Sequence, residues 1–361
     1  MDIVDAWLIL NESGLPPRRQ VALLRAFGDP LSVLGADEAA LLQVPEIRSD
    51  HVKRLREAQQ ATDLGALRAR VVELGLQVVG WESPLYPPLL RESPDPPAML
   101  FVQGGFDRRD ELAVAVVGTR KCTPYGVRVT RDLVTNLALR GFTVVSGLAL
   151  GIDGEAHEAA IEAGGRTIAV VASGPDITYP PQHVALRAAV VEHGAVVTEY
   201  AFGTEPMRER FPARNRIIAG LALGTVVIEA PDKSGAMITA RQATEAGRDV
   251  FAVPGSVYSP HSRGCHSLIK DGAGLVETVE DIVDGLGIRL AAVPPRPKRD
   301  TSALPEAERA VLGALSHEPT HVDNIVEATS LSASQVTSAL MLLEVKALVR
   351  RFPGSTYVRT D

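Results

Sequence analysis

Residues 112–157 hold two consecutive strand–turn–helix units, and this repeat constrains the fold more than any other feature of the chain. The apolar run 113–117 is too short for a helix and rich in valine, which is typical of a strand buried on both faces. Pro124 suits the first position of a helix, and a second apolar run at 142–145 leads through glycines into another helix. The predicted strands that follow are 167–172, 195–198, 225–229 and 249–253. This alternation predicts a doubly wound, mostly parallel Rossmann-like α/β sheet.

The segments on either side of this sheet have different patterns. Residues 1–78 carry apolar residues at helical spacing and are predicted to form a small all-helical domain of the SAM or helix-hairpin-helix type, with the hairpin near residues 42–48. Prolines crowd residues 81–104, so we expect an extended lead-in at the sheet edge rather than a helix or a central strand. A proline-rich stretch then precedes a C-terminal winged helix. The predicted boundaries are 1–78 for the helical domain, 79–290 for the Rossmann-like domain, 291–304 for the linker and 305–361 for the winged helix.

The turn after the first central strand indicates the ligand chemistry. In doubly wound sheets, ligands bind beyond the carboxyl ends of the strands, where helix N-termini and glycine turns favour anions. Here the turn reads Gly118-Thr119-Arg120-Lys121, without the dinucleotide fingerprint, and no Walker motif occurs in the chain. The forked donors of arginine match the geometry of phosphate. We therefore expect a phosphate or phosphodiester ligand at Arg120 and no nucleotide cofactor.

Two further turns are candidate anion sites. Arg214, Asn215 and Arg216 stand at the start of a predicted helix, and with Arg208 and Arg210 they form the strongest phosphate-binding pattern in the sequence. Neighbouring glutamates could instead pair with some of these arginines. Ser234 and Gly235 precede another helix and could form an anion nest.

Patterns for catalysis and metal binding are sparse. Asp153 and His157 lie four residues apart on one predicted helix, and they could hydrogen-bond as an acid–base pair or simply fix a loop. The histidines lack metal-ligand spacing, and 2 cysteines make no disulfide framework. We expect no catalytic residue, no metal and no cofactor.

Charge and hydropathy restrict the partners. The net charge is −7, so any contact with nucleic acid must be a local, salt-sensitive patch. No apolar run reaches the roughly eighteen residues of a membrane span, and a cytoplasmic protein is expected. The predicted recognition helix of the winged helix, residues 332–345, has no Lys or Arg, so protein contact and auxiliary DNA contact both remain open.

Several motifs together resemble the DNA-processing protein A (DprA/Smf) family. They are AVAVVGTRKCTPYG (113–126), VVSGLALGIDGEAH (144–157), FPARNRIIAGL (211–221), SGAMITA (234–240) and GRDVFAVPGS (247–256). The resemblance implies a homodimeric, non-enzymatic protein that binds single-stranded DNA and loads a RecA-type recombinase during natural transformation. It also implies that Arg120 is the pocket arginine, that Ser146 and Gly147 line the same crevice, and that Arg214, Asn215 and Arg216 form its wall. Pro181 stands where some members of the family have lysine.

Two other functions fit parts of the sequence. Phosphoribohydrolases that cleave nucleoside monophosphates share the architecture, but here Leu223-Gly224-Thr225 and Glu229 lack the preceding glycine cluster of their signature. A winged-helix transcription regulator is the third interpretation. Release of a free base would favour the enzyme, and preference for a specific duplex would favour the regulator.

Overall fold

The computed structural model describes residues 1–288, 304–316, 319–346, 348–352 and 354–359. Nearly all of the predicted linker, 291–304, lies outside these residues. The chain divides into two compact units, one made of Met1–Lys121 with Thr130–Leu290 and the other of Cys122–Val129 with Ala291–Asp361.

The amino-terminal part is helical up to residue 73. Its helices are α1 Ile3–Glu12, α2 Pro17–Phe27, α3 Pro30–Gly35, α4 Glu38–Leu42, α5 Ser49–Ala61 and α6 Leu64–Glu73. Aspartates cap four of them by accepting a backbone N–H, as expected for a short polar side chain at a helix N-terminus. Buried Trp7, Leu34 and Leu55 belong to a cluster that also includes Met99 and Phe101 of the sheet, so these helices share a core with it.

The turn between α4 and α5 is the predicted hairpin. Glu46 adopts a φ of +68°, a left-handed conformation that favours glycine. Its carboxylate, with a side chain that is 69% exposed, forms an ion pair with Arg19. This turn therefore carries an exposed negative charge.

Nine strands within residues 1–288 form one sheet. The strands are β1 Leu76–Gly80, β2 Met99–Gly104, β3 Ala113–Val117, β4 Thr143–Ser146, β5 Arg166–Val170, β6 Gly194–Thr198, β7 Gly224–Val227, β8 Asp249–Ala252 and β9 Gly274–Leu275. Their order in the sheet is β1-β2-β6-β5-β4-β3-β7-β8-β9. Strand β2 is antiparallel to β1 and β6, and the other pairs are parallel. The helices of this part are α7 Pro88–Arg91, α8 Pro124–Leu139, α9 Ile152–Glu162, α10 Val184–His193, α11 Arg210–Leu221, α12 Gly235–Glu245, α13 Arg263–Lys270 and α14 Val279–Gly285. The predicted doubly wound, mostly parallel sheet is thus confirmed.

The sheet has its topological switch point beside β3. From β3 the chain proceeds to β4, β5 and β6 on one side, and α11 then returns it to β7 on the other side of β3. Loops after β3 and β7 therefore diverge, which leaves a crevice at the carboxyl ends of these two strands.

Two predictions about the edge of this sheet are wrong. Residues 76–78, expected to be helical, begin β1, which pairs with β2 from Leu76 opposite Gln103. The proline-rich lead-in contains the one-turn helix α7, whose Pro88 occupies the first position, where its missing N–H costs nothing. Strand β2 follows the last proline and lies one strand in from the edge.

The C-terminal unit is a winged helix, as predicted. Its helices are α15 Glu306–Ala314, α16 Val322–Thr329 and α17 Ala333–Val345, and its strands β10 Thr320–His321, β11 Val349–Phe352 and β12 Thr356–Arg359 pair in the order β10-β12-β11. Apolar side chains of α17 are exposed at Met341 (68%) and Val345 (79%). No helix among the described residues is long and apolar enough to cross a membrane.

Candidate nucleic-acid interface

Arg120 and Lys121 lie in the turn that follows β3. The turn is held to the end of β7 because the Thr119 N–H donates to the Glu229 carbonyl oxygen at 2.7 Å. It also lies directly on the start of α9, since a Cβ on Gly151, which has a φ of +83°, would be 2.8 Å from Arg120 Cα. Both basic side chains are exposed. Within residues 1–288, neither has a carboxylate at salt-bridge distance.

The ring of Phe211 contacts Arg120 and is itself packed against a second aromatic ring. The guanidinium carbon of Arg120 is 4.7 Å from the centroid of the Phe211 ring, a cation–π distance. The Phe211 ring is in turn 5.8 Å from the ring of Tyr179, which is 41% exposed. Neither aromatic residue was predicted to belong to the site. The available signal was their position, at the start of α11 and in the loop after β5.

Arg214 is buried and bonded to the protein interior. Its side chain donates to the carbonyl oxygen of Gly147 at 2.7 Å and to that of Val170, so it joins the ends of β4 and β5. Its Nε donates to Asn215 Oδ1 at 3.2 Å, and Asn215 Nδ2 donates to the Gly235 carbonyl oxygen at 3.3 Å. Burial lowers the pKa of Arg214 to about 10, while the charge of Asp153 opposes this shift.

Gly147 is required by the same arrangement. A Cβ at this position would lie 2.6 Å from Arg214 Nη2 and 2.6 Å from Asp153 Oδ2. Burial raises the pKa of Asp153, and the nearby Arg214 charge acts in the opposite direction. Ser146 is also buried, and its hydroxyl donates to the carbonyl oxygen of Val116 at 2.7 Å.

Of the two roles that the sequence leaves open for Asp153 and His157, the contacts of His157 favour that of fixing a loop. His157 Nε2 accepts from the Leu148 N–H at 3.3 Å, and its Nδ1 is 2.7 Å from Thr167 Oγ1. Burial lowers the pKa of His157 to about 3, so the imidazole is neutral and links Leu148, just after β4, to Thr167 at the beginning of β5. Among the described residues, no group of three His, Cys, Asp or Glu side chains could hold a metal ion.

The other predicted site residues have different surroundings. Arg216 is 13% exposed and pairs with Asp95 at 3.0 Å and Glu199 at 2.6 Å, away from the turn after β3. Ser234 caps α12 by accepting the Ala236 N–H at 3.3 Å, next to the exposed Gly235. The structure therefore brings Ser146, Gly147, Arg214, Asn215 and Gly235 into one polar network beneath the crevice, with Gly118, Thr119, Arg120 and Lys121 in the adjoining turn.

Comparisons with known proteins agree with this architecture. A sequence model of the DNA recombination-mediator protein A family matches residues 77–287, and a model of the DprA winged helix domain matches residues 294–355. A putative DNA processing protein DprA of Mycobacterium tuberculosis is 40% identical over 362 residues, covering 95% of this chain and 91% of that protein. Protein Smf of Escherichia coli is 40% identical over 286 residues, covering 77% of this chain and 76% of that protein.

Two solved structures extend the comparison. The crystal structure of DprA from Streptococcus pneumoniae has a TM-score of 0.69 at 35% identity and covers 79% of this chain and 98% of its own. A structure of DNA processing protein A from Helicobacter pylori, described for its single-stranded DNA binding mode, has a TM-score of 0.52 at 30% identity and covers 58% of this chain and 95% of its own. On these matches, the chain belongs to the DNA recombination-mediator protein A family, DprA/Smf.

Proposed function

We propose that this protein binds single-stranded DNA across the carboxyl ends of β3 and β7, with Arg120 and Lys121 as phosphate contacts. The observation that carries the proposal is the pair of exposed cations at the switch point, which have no carboxylate partner within residues 1–288. Buried or paired arginines would have to give up existing bonds, whereas these two offer their donors to a ligand at no such cost. The single-stranded DNA binding described for the Helicobacter pylori relative supports the same ligand.

The remaining predicted DNA-binding residues have two roles in this proposal. Gly118, Thr119, Ser234 and Gly235 let the backbone approach the ligand on either side of the crevice. Ser146, Gly147, Arg214 and Asn215 keep the strand ends in place below it. Arg216 is assigned no phosphate contact because Asp95 and Glu199 already neutralise it.

The wider role is that of a recombination mediator that acts by binding rather than catalysis. We infer that the protein is a cytoplasmic homodimer that protects incoming single strands in natural transformation and loads a RecA-type recombinase onto them. The family description and the DprA relatives support this role. Light scattering of the purified chain tests the dimer, and recombinase filament assembly on protein-coated DNA tests the loading. A monomer, or filament assembly that does not respond to the protein, would contradict the corresponding part.

The binding site is tested by anisotropy titration of labelled oligo-dT and its duplex at several salt concentrations. The variants are Arg120→Ala and, as a matched loss of one arginine, Arg131→Ala, because Arg131 is already surrounded by Glu155, Glu158 and Glu162. We expect Arg120→Ala to weaken binding to all single strands alike and to reduce the salt slope by about 0.7, the value for one single-strand phosphate. Arg131→Ala should bind like the wild type. Equal affinities of the wild type and Arg120→Ala would place the site elsewhere.

A further inference from the structure

Helix α6 of the amino-terminal part contacts the loops that follow β5 and β6. These are the β5 loop, residues 171–180, and the β6 loop, residues 199–209. Arg70 of α6 donates through Nη2 to Asp176 Oδ2 of the β5 loop. The guanidinium carbon of Arg70 also lies 4.4 Å from the ring centroid of Phe202 in the β6 loop. One side chain thus touches both loops.

Asp176 connects the same two loops to each other. Its carboxylate accepts the Gly203 N–H, with distances of 3.0 Å to Oδ1 and 3.1 Å to Oδ2. A second bond runs in parallel, because the Gly174 N–H donates to the Thr204 carbonyl oxygen at 2.9 Å. The Asp176 side chain is only 19% exposed, and Arg70 is its salt-bridge partner.

The ring of Phe202 is the other contact of Arg70. This ring meets the Phe101 ring edge-on, with centroids 5.2 Å apart and planes at 62°. Phe101 is fully buried in the core that the helices share with the sheet. The Phe202 ring of the β6 loop therefore packs against buried Phe101 and also contacts the Arg70 guanidinium.

The β5 loop leads from this contact to the proposed DNA site. Three residues after Asp176 it carries Tyr179, whose ring packs on Phe211. Phe211 follows the β6 loop and supports the guanidinium of Arg120. Contacts are thus continuous from α6 through both loops to the phosphate-binding arginine.

We infer that Arg70, through the Asp176 carboxylate and the Phe202 ring, is a positioning residue that holds the β5 and β6 loops in the arrangement required for single-stranded DNA binding. The inference rests on the proposed function. It gives the amino-terminal helices a task in DNA binding without any DNA contact of their own. Loss of Arg70 removes one contact from each loop at once, which loosens the aromatic support of Arg120.

The test compares Arg70→Ala with Arg68→Ala in the full chain. Arg68 lies on the same helix, but it pairs with Asp2 and Asp5 of the amino-terminal part and not with the loops. We expect Arg70→Ala to weaken oligo-dT binding about three- to tenfold, the range typical of mutations that act on a site through intervening contacts. Its salt slope should match the wild type, because no phosphate contact is lost. Arg68→Ala should retain wild-type affinity, and Arg70→Lys should recover part of it.

Hydrogen exchange gives a readout that does not depend on DNA. The Gly203 amide should exchange faster in Arg70→Ala and in Asp176→Ala, but not in Arg68→Ala. If Arg70→Ala binds DNA as tightly as Arg68→Ala while Arg120→Ala loses binding, the positioning role is refuted and the proposed function stands. If the wild type does not bind single strands, the proposed function fails and the role of Arg70 in binding fails with it. Faster exchange at Gly203 would then show a purely structural contact.

Discussion

Replacement of Arg214 by methionine distinguishes a structural arginine from a DNA-binding one. The sequence places Arg214 in a phosphate patch, whereas the structure buries its side chain at 3% exposure among backbone carbonyls and beside Asp153. Methionine has a similar length and no charge. Arg214→Met therefore removes the interior bonds while it leaves the exposed Arg120 and Lys121 untouched.

The expected loss of stability is large. Two carbonyl oxygens, those of Gly147 and Val170, lose their donor, and the buried carboxylate of Asp153 loses the positive charge that counteracts its burial. A buried acceptor left without its donor costs about 1–3 kcal/mol, so two of them predict a loss of about 2–6 kcal/mol in the free energy of unfolding. The pKa of Asp153 should rise further. The double variant Arg214→Met/Asp153→Asn should recover part of the loss, because the carboxylate can then no longer carry an uncompensated charge.

Urea unfolding and DNA titration of the same samples decide between the two roles. A structural Arg214 predicts a lower urea midpoint for Arg214→Met, partial recovery in the double variant, and an unchanged salt slope of DNA binding for the fraction that is folded. If Arg214 instead binds phosphate, the urea midpoint should stay unchanged and the salt slope of DNA binding should fall. An unchanged urea midpoint together with a salt slope reduced by about 0.7 would refute the structural role.

Three other predictions follow from individual residues. In the wild type, lowering the pH from 7 to 5 should reduce the free energy of unfolding by about 2 kcal/mol through His157 alone, because the unfolded histidine (pKa about 6.5) takes up a proton in this range and the buried one (pKa about 3) does not. The variant His157→Gln, measured by urea unfolding, should lack this part of the loss. Equal losses would contradict this. Pro181→Lys should tighten oligo-dT binding and increase its salt slope by about 0.7, with Pro181→Ala as control. An unchanged affinity would mean that residue 181 does not lie near the DNA. Glu46→Gly should raise the free energy of unfolding in urea by up to about 1 kcal/mol, because relief of the left-handed backbone outweighs an exposed ion pair, and a lower free energy of unfolding would refute that balance.

The central strands could be predicted from the sequence because burial on both faces leaves a continuous apolar run. The predicted strand 113–117 is the observed β3. Strand β1 was missed for two reasons. Its five residues, with Leu76, Val78 and Val79 apolar, are too few to show a clear strand pattern, and the preceding helix has no strong termination signal before Gly75. Its strand character comes from pairing with β2, which is a non-local interaction.

The sequence predicts which turns form the candidate site but not which of its side chains are buried. Arg120 follows a strand and precedes a helix, and the sequence predicts Arg214 at the start of another helix, so both arginines resemble anion contacts in the sequence. Only the fold shows that one side chain lies over an aromatic ring at the surface and the other inside a cage of carbonyl oxygens. The aromatic residues Tyr179 and Phe211 were missed for the same reason, because they meet only when two distant loops come together.

The division of roles within Arg214-Asn215-Arg216 follows from helix geometry alone. Successive residues of an α-helix point about 100° apart, so Arg214 and Arg216 differ by about 200° and cannot face the same ligand. Helix α11 begins at Arg210, so both lie beyond its first turn, one directed at the ends of β4 and β5 and the other at Asp95 and Glu199. A cluster of arginines in sequence therefore becomes two separate structural contacts. Under the proposed function, phosphate contact therefore falls to the turn after β3, where Arg120 and Lys121 are both exposed.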